Sequence, residues 1–330
     1  MFSAEICGIK KDIMIHRLFL LLFLTIMITY SKAQGNAGEQ VNTNAQKPLK
    51  LSDPLKNNTR ESIEIPFEVD NGIIYVQAQF NGERGTFILD SGAPDLILNS
   101  DAENLVYDSS NKSEASGVGG KVKKSGTAHI QSFDWYGITL SDGDVLSVSM
   151  SHLTKRKILG LIGYRVFNDY ILTFDYKKSK ITGTLKTSLS QEKERNGKLL
   201  ATIPFEMYKH IPVLQIEING KMYNMGLDTG AAANLFYEKY VPELKESIIR
   251  YKESDLTGIG GKVKAKKGRV KKIIIRGVEY NKLNFIFEDA TLTSLNQGST
   301  LKLDGLLGYE FLKTYKTTID FKAKEIRIYE

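Results

Sequence analysis

Two aspartates are the residues best placed to do chemistry. Asp90 closes an apolar run and opens a turn in Phe87-Ile88-Leu89-Asp90-Ser91-Gly92-Ala93. Asp228 does the same in Met225-Gly226-Leu227-Asp228-Thr229-Gly230-Ala231. One such tripeptide is an ordinary turn signal. Two copies, each delivered by an apolar strand, put two carboxylates at equivalent positions. If the turns face each other, the carboxylates cannot both ionise easily and share one proton. The ionised member can then take a proton from water, and the protonated member can donate to a carbonyl oxygen under attack. That is general acid–base hydrolysis of an amide, with no covalent intermediate.

The elements that must position the pair also recur. Ile65-Pro66-Phe67-Glu68 returns as Ile203-Pro204-Phe205-Glu206, an offset of 203 − 65 = 138. Asn81-Gly82 returns as Asn219-Gly220 and Asp90 as Asp228 at that same offset. Gly117-Val118-Gly119-Gly120-Lys121-Val122 returns as Gly258-Ile259-Gly260-Gly261-Lys262-Val263, at 258 − 117 = 141. Gly160-Leu161-Ile162-Gly163-Tyr164 returns as Gly305-Leu306-Leu307-Gly308-Tyr309, at 305 − 160 = 145. The order is kept and the offset grows only between landmarks, so two related lobes are expected.

Ile73 to Phe80 reads as a strand, Asn81-Gly82 as a hairpin turn needing positive φ, and the next strand ends at Asp90. Leu96-Ile97-Leu98 continues the fold as strand, and Asp142-Gly143-Asp144 reads as a plain turn rather than a calcium loop. Gly163 to Asn168 suits a short helix, followed by a strand from Tyr170 to Tyr176. Lys271 to Ile275 and Ile326 to Tyr329 add strands in the second lobe. The fold class is all-β: two pseudo-twofold-related β-barrel lobes with short helices and one flap hairpin each.

With these residues in place, the chain resembles the retropepsin-like aspartic proteases, with both halves on one chain. The resemblance runs from the Ile65 strand to the C-terminus. It implies an acid-protease-like fold and an aspartic endopeptidase with Asp90 and Asp228 as its catalytic dyad. It implies that the hydroxyls of Ser91 and Thr229 cross-brace the two turns. Gly92, Ala93, Gly230 and Ala231 would complete the turns. Gly163 and Gly308 would belong to a second signature that passes behind them. Gly117, Val118, Gly119 and Gly120, with Gly258, Ile259, Gly260 and Gly261, would form flaps that close over an extended peptide. One departure stands out. Retropepsins carry an arginine after the second-signature glycine, paired to an aspartate after the catalytic alanine. Here those positions hold Tyr164 and Tyr309, with Pro94 and Ala232.

Length and composition agree with two domains. The 330 residues carry a net charge of +7, and no nucleic-acid motif accompanies it. The only cysteine is Cys7, ahead of the apolar run Leu18 to Thr29. Ser31-Lys32-Ala33 follows, so residues 1–33 read as a signal peptide, with Met14 as an alternative start. An exported, periplasmic or secreted protein follows, without disulfides and with no stable membrane anchor after cleavage. Residues 34–61 read as a flexible leader, 62–185 as the first lobe, 186–199 as a linker and 200–330 as the second lobe. The expected partner is a peptide or protein substrate, the expected state a monomer, and no metal or other cofactor is implied. His16, His129, His152 and His210 form no metal-ligand spacing. The lysines beyond the glycine clusters could attract acidic substrates, though guarding edge strands is the plainer reading. Two other functions compete. One is a peptide-binding module without activity; the other is a two-carboxylate glycosidase, which leaves the glycine clusters unexplained.

Overall fold

The structure is a computed structural model. It describes residues 54–102, 116–117, 120–122, 125–150, 152–185, 196–258, 260–297 and 300–330. The expected signal peptide, most of the leader, Val118, Gly119, Ile259 and most of the linker lie outside the described residues.

The protein is mostly β. In the N-terminal half, Ile73–Phe80 and Glu83–Leu89 form an antiparallel hairpin with Tyr75 opposite Ile88. Its turn uses Asn81 at φ +47 and Gly82 at φ +85, the left-handed pair that a two-residue hairpin needs. From Glu83 to Leu89 the side chains pass from exposed to fully buried, so the strand carries its end into the protein interior. Gly160–Ile162 runs parallel beside it, with Ile162 opposite Leu89. Ile97–Asn99, Ile138–Val148 and Ser125–Trp135 complete a closed ring of six strands, because Ser125–Trp135 pairs back onto Ile73–Phe80.

The C-terminal half has a second ring-like sheet. Ile211–Ile218 and Lys221–Leu227 form its hairpin, turning at Asn219 and Gly220 with φ of +52 and +78. Gly305–Leu307 lies parallel to the latter, with Leu307 opposite Leu227. Asn234–Phe236, Val278–Phe287 and Gly261–Ile275 continue the sheet, which returns to the hairpin through the Glu217–Ile274 pair.

A third sheet of six strands draws on both halves. Its order is Leu199–Pro204, Glu325–Tyr329, Lys316–Asp320, Tyr170–Asp175, Lys180–Leu185, Ser62–Pro66. The halves meet at its centre, where Leu172, Thr173 and Phe174 oppose Ile319, Thr318 and Thr317. There the hydroxyls of Thr173 and Thr318 lie 2.6 Å apart in the buried interior. Strands with one buried face alternate, as at Ser62–Pro66. Ile73 to Val76 is buried continuously because it faces the ring interior on one side and a second apolar cluster on the other.

Two expectations are corrected. Leu55–Asn58, placed in the flexible leader, pairs with Ile138–Ser141. Lys56 holds it down by donating to the Arg165 carbonyl at 2.7 Å and pairing with Asp169 at 2.6 Å. Asp142-Gly143-Asp144 lies within the strand Ile138–Val148 rather than in a turn. Asp142 takes φ +50 inside that strand, and Asp144 accepts from His129 across the ladder. The short helix expected near Gly163 is Tyr164–Phe167.

Candidate active site

Asp90 and Asp228 stand side by side, each 0% exposed. Each turn is held from behind in the same way. The Asp90 N–H donates to the Ile162 carbonyl at 3.0 Å and the Tyr164 N–H to the Ala93 carbonyl at 2.8 Å. The Asp228 N–H donates to Leu307 at 2.9 Å and the Tyr309 N–H to Ala231 at 2.8 Å. Gly163 and Gly308 let the chain pass this closely. A Cβ on either would come within 2.2 Å of a carbonyl oxygen, that of Asp95 or Ala231 respectively.

The turns grip each other. The Ser91 N–H donates to Thr229 Oγ1 at 2.9 Å, and the Thr229 N–H donates to Ser91 Oγ at 3.0 Å. Thr229 Oγ1 in turn donates to the Leu89 carbonyl at 3.2 Å. The Gly92 N–H lies between the carboxylates, 2.9 Å from Asp90 Oδ1 and 3.1 Å from Asp228 Oδ1. Ala93 N–H adds a bond to Asp90 Oδ1 at 3.2 Å, and Gly230 N–H one to Asp228 Oδ1 at 2.8 Å. Each glycine packs on the opposite aspartate. A Cβ at Gly92 would sit 2.6 Å from Asp228 Oδ2, and one at Gly230 would sit 2.4 Å from Asp90 Oδ1.

Both Oδ1 atoms are thus pinned by N–H groups, while neither buried Oδ2 atom has a donor from outside the pair among the described residues. Burial disfavours charge on both carboxyls. It pushes Asp90 well above the usual carboxylate range, with Asp228's charge and hydrogen bond adding to the rise. It pushes Asp228 up to about 6, against the lowering effect of its bonds to Gly230, Asp90 and Gly92. Two buried neighbouring carboxyls whose charged forms are both disfavoured resist double ionisation.

The described ends of both glycine clusters lie on paired antiparallel strands. Gly117 pairs with Gly120, and Gly258 with Gly261. Gly258 reaches the N-terminal half: His152 Nε2 donates to its carbonyl at 3.2 Å. The lysines that follow are engaged locally. Lys262 and Lys264 both clasp Asp255 at 3.0 Å, and Lys266 binds Glu238. These pairs leave less of their charge to draw in an acidic ligand.

The ion pair absent at Tyr164 and Pro94 occurs one residue further along, between Arg165 and Asp95 at 3.0 Å. The tyrosines brace the halves instead. Tyr164 meets Phe321 edge-on at 5.0 Å, and Tyr309 meets Tyr176 at 5.6 Å. Sequence reasoning missed two further residues. Asn234, wholly buried, accepts from the Gly308 N–H at 3.0 Å and donates to the Asn284 carbonyl. His210 Nε2 lies 2.6 Å from the Gly92 carbonyl. A single Asn in an apolar strand and a single His before one gave no pattern to find.

A mostly β fold whose strands deliver two buried, interlocked aspartyl turns is an arrangement suited to peptide-bond hydrolysis. Residues 214–311, which include Asp228, Thr229, Gly230 and Gly308, match the model of a family described as aspartyl protease. The match supports a protease of that family. No curated protein matches the chain.

Proposed function

We propose that the protein is an exported aspartic endopeptidase in which two related lobes on one chain each contribute one catalytic aspartate. The observation that carries this reading is the reciprocal lock of the two turns. Ser91 and Thr229 exchange backbone-to-hydroxyl bonds, and the Gly92 N–H is shared by both carboxylates. Such a lock serves to hold two carboxyls together against their repulsion. The order of the shared sheet supports relatedness: reading inward from either edge, Ser62–Pro66 and Leu199–Pro204 occupy matching places, as do Tyr170–Asp175 and Lys316–Asp320.

The Oδ2 atoms, which no backbone N–H engages, do the chemistry. One, ionised, takes a proton from water as its oxygen attacks the scissile carbonyl. The other, protonated, gives its proton to the carbonyl oxygen. The gem-diol intermediate collapses as the carboxyl that took the water's proton passes it to the amide nitrogen, the C–N bond breaks, and one gem-diol hydroxyl returns its proton to the other carboxylate, so that the dyad again holds one shared proton. The glycine clusters at Gly117–Gly120 and Gly258–Gly261 close over the peptide and offer main-chain groups to it.

The test is incubation of the protein with a mixed peptide library, with and without a statine-type inhibitor. Inhibitable cleavage within peptides is expected. Binding without cleavage, with the carboxyls intact, would replace this reading by that of a peptide-binding protein on the same scaffold.

A further inference from the structure

His210 belongs to none of the motifs that build the aspartyl turns, yet it touches one of them. It follows Lys209, whose φ of +56 turns the chain into the strand Ile211–Ile218. The ring is buried, and its Nε2 lies 2.6 Å from the carbonyl oxygen of Gly92. A carbonyl only accepts, so Nε2 carries the hydrogen and, in the neutral ring, Nδ1 carries the lone pair. The Gly92 carbonyl shares its peptide group with the Ala93 N–H, and that N–H is shared between the Asp90 carbonyl at 3.1 Å and Asp90 Oδ1 at 3.2 Å. An amide whose oxygen accepts a hydrogen bond donates more strongly through its nitrogen, because linked bonds polarise one another. The imidazole therefore acts on Asp90 through a single peptide group. In the repeat, the position corresponding to His210 is 210 − 138 = 72, which is Gly72. A glycine has no side-chain donor, and a Cβ there would already lie 2.6 Å from the Ala232 carbonyl oxygen.

We infer that His210 is a positioning residue that makes the two aspartates unequal: by donating to the Gly92 carbonyl, it strengthens the Ala93 N–H bond to Asp90 and favours charge on that side of the pair. This acts against the effect of burial on Asp90. Its consequence for rate rests on the proposed peptidase reading; its consequence for titration does not. The groups that face the ring are the Tyr164 ring at 6.5 Å, the cations of Lys209 and Arg165, and, beyond the Gly92 peptide, Asp90 and Asp228. Burial first, and then the two cations, hold the imidazole down to about 4. Through the mildly acidic range it thus supplies a donor without adding a positive charge beside the dyad.

The experiment compares the full chain with His210→Leu and His210→Gln. The glutamine Nε2 can donate from about the same place and does not titrate. Two measurements are made: the 13C-carboxyl NMR titration of Asp90 and Asp228, and kcat and KM against pH on one peptide. His210→Leu is expected to move the dyad's titration to higher pH by about half a unit or more, since a weaker donor leaves the charged form less favoured. It should lower kcat about tenfold while KM stays within about twofold, the pattern of an interaction used in the transition state. His210→Gln should keep most of both. If His210→Leu fails to fold, His210→Asn, polar but too short to reach Gly92, takes its place. A folded variant without the donor whose titration is unmoved would overturn the inference, as would a glutamine variant as impaired as the leucine one. If the wild type cleaves no peptide but the titration still shifts, the peptidase reading fails and this inference stands.

Discussion

At Asn71-Gly72 and at Lys209-His210 the chain turns the same left-handed corner, with φ of +51 at Asn71 and +56 at Lys209. Each corner presses on the aspartyl turn of the opposite half. The first does so by close approach alone, with Gly72 at φ +86 against Ala232 and the ring of Tyr309. The second uses a buried imidazole that donates to Gly92 beside the ring of Tyr164. The difference separates two jobs. Gripping the opposite turn needs only a tight backbone fit, whereas biasing a shared proton needs a donor on one side and none on the other.

The largest effects should come from the carboxylates themselves. Asp90→Asn and Asp228→Asn should each lower kcat/KM for peptide cleavage by about 10²–10⁴-fold or more, the scale of a lost acid or base. Near wild-type turnover by either purified variant would break the pairing of the two turns. Next in size is the corner made by close approach. Gly72→Ala introduces both an unfavourable φ and a Cβ 2.6 Å from a backbone oxygen. It should cost about 1–3 kcal/mol in urea denaturation, whereas His210→Gln should cost less.

The hydroxyls differ too. Thr229 Oγ1 both accepts from Ser91 N–H and donates to Leu89, while Ser91 Oγ accepts from Thr229 N–H. Thr229→Ala should therefore lose about 1–3 kcal/mol, more than Ser91→Ala, with activity falling alongside. Equal losses would show that the extra bond to Leu89 contributes nothing.

Stability against pH gives a subtler comparison. Burial raises Asp228 from an ordinary 3.8 to about 6, so its neutral form is favoured in the folded state. That contribution is fully present below about pH 4 and is lost as pH rises through about 6. His210 runs the other way, from 6.5 down to about 4. Its contribution is present above its unfolded value and is lost as pH falls through the folded one. Relative to wild type, Asp228→Asn should gain in melting temperature as pH rises from 4 to 6 and then level off. His210→Gln should gain as pH falls from 6.5 to 4. The same slope in both would refute the opposed titrations. The smallest effect belongs to the Arg165–Asp95 pair, which is largely solvated. Arg165→Gln should change stability by about 0–1 kcal/mol.

Much of this frame was legible in the sequence because its signals are local. Apolar runs ending in Asp, Asn-Gly between strands and glycines before Tyr164 and Tyr309 each dictate their own conformation within a few residues. The same local logic failed at Asp142-Gly143-Asp144, where a turn-forming string is held in a strand by its partner Ser125–Trp135. It failed again at Leu55–Asn58, a polar segment given its shape by the strand it borders. His210 and the shared sheet could not be read at all. A lone histidine has no period, and the pairing of Leu172 with Ile319 joins residues 319 − 172 = 147 apart.

That sheet also governs when the aspartates can meet. Its central seam joins Tyr170–Asp175 to Lys316–Asp320, and the Glu325–Tyr329 strand lies inside it, flanked by Leu199–Pro204. Contacts this distant along the chain are made late and slowly, since loop closure must be met before pairing rewards it. A nascent chain that has folded only its first ring holds Asp90 with no Thr229 to receive Ser91 and no second carboxyl to share a proton. On the proposed peptidase reading, hydrolytic power would arrive in one step, with closure of the seam, and a chain that had folded only its first ring would lack the second half of the dyad.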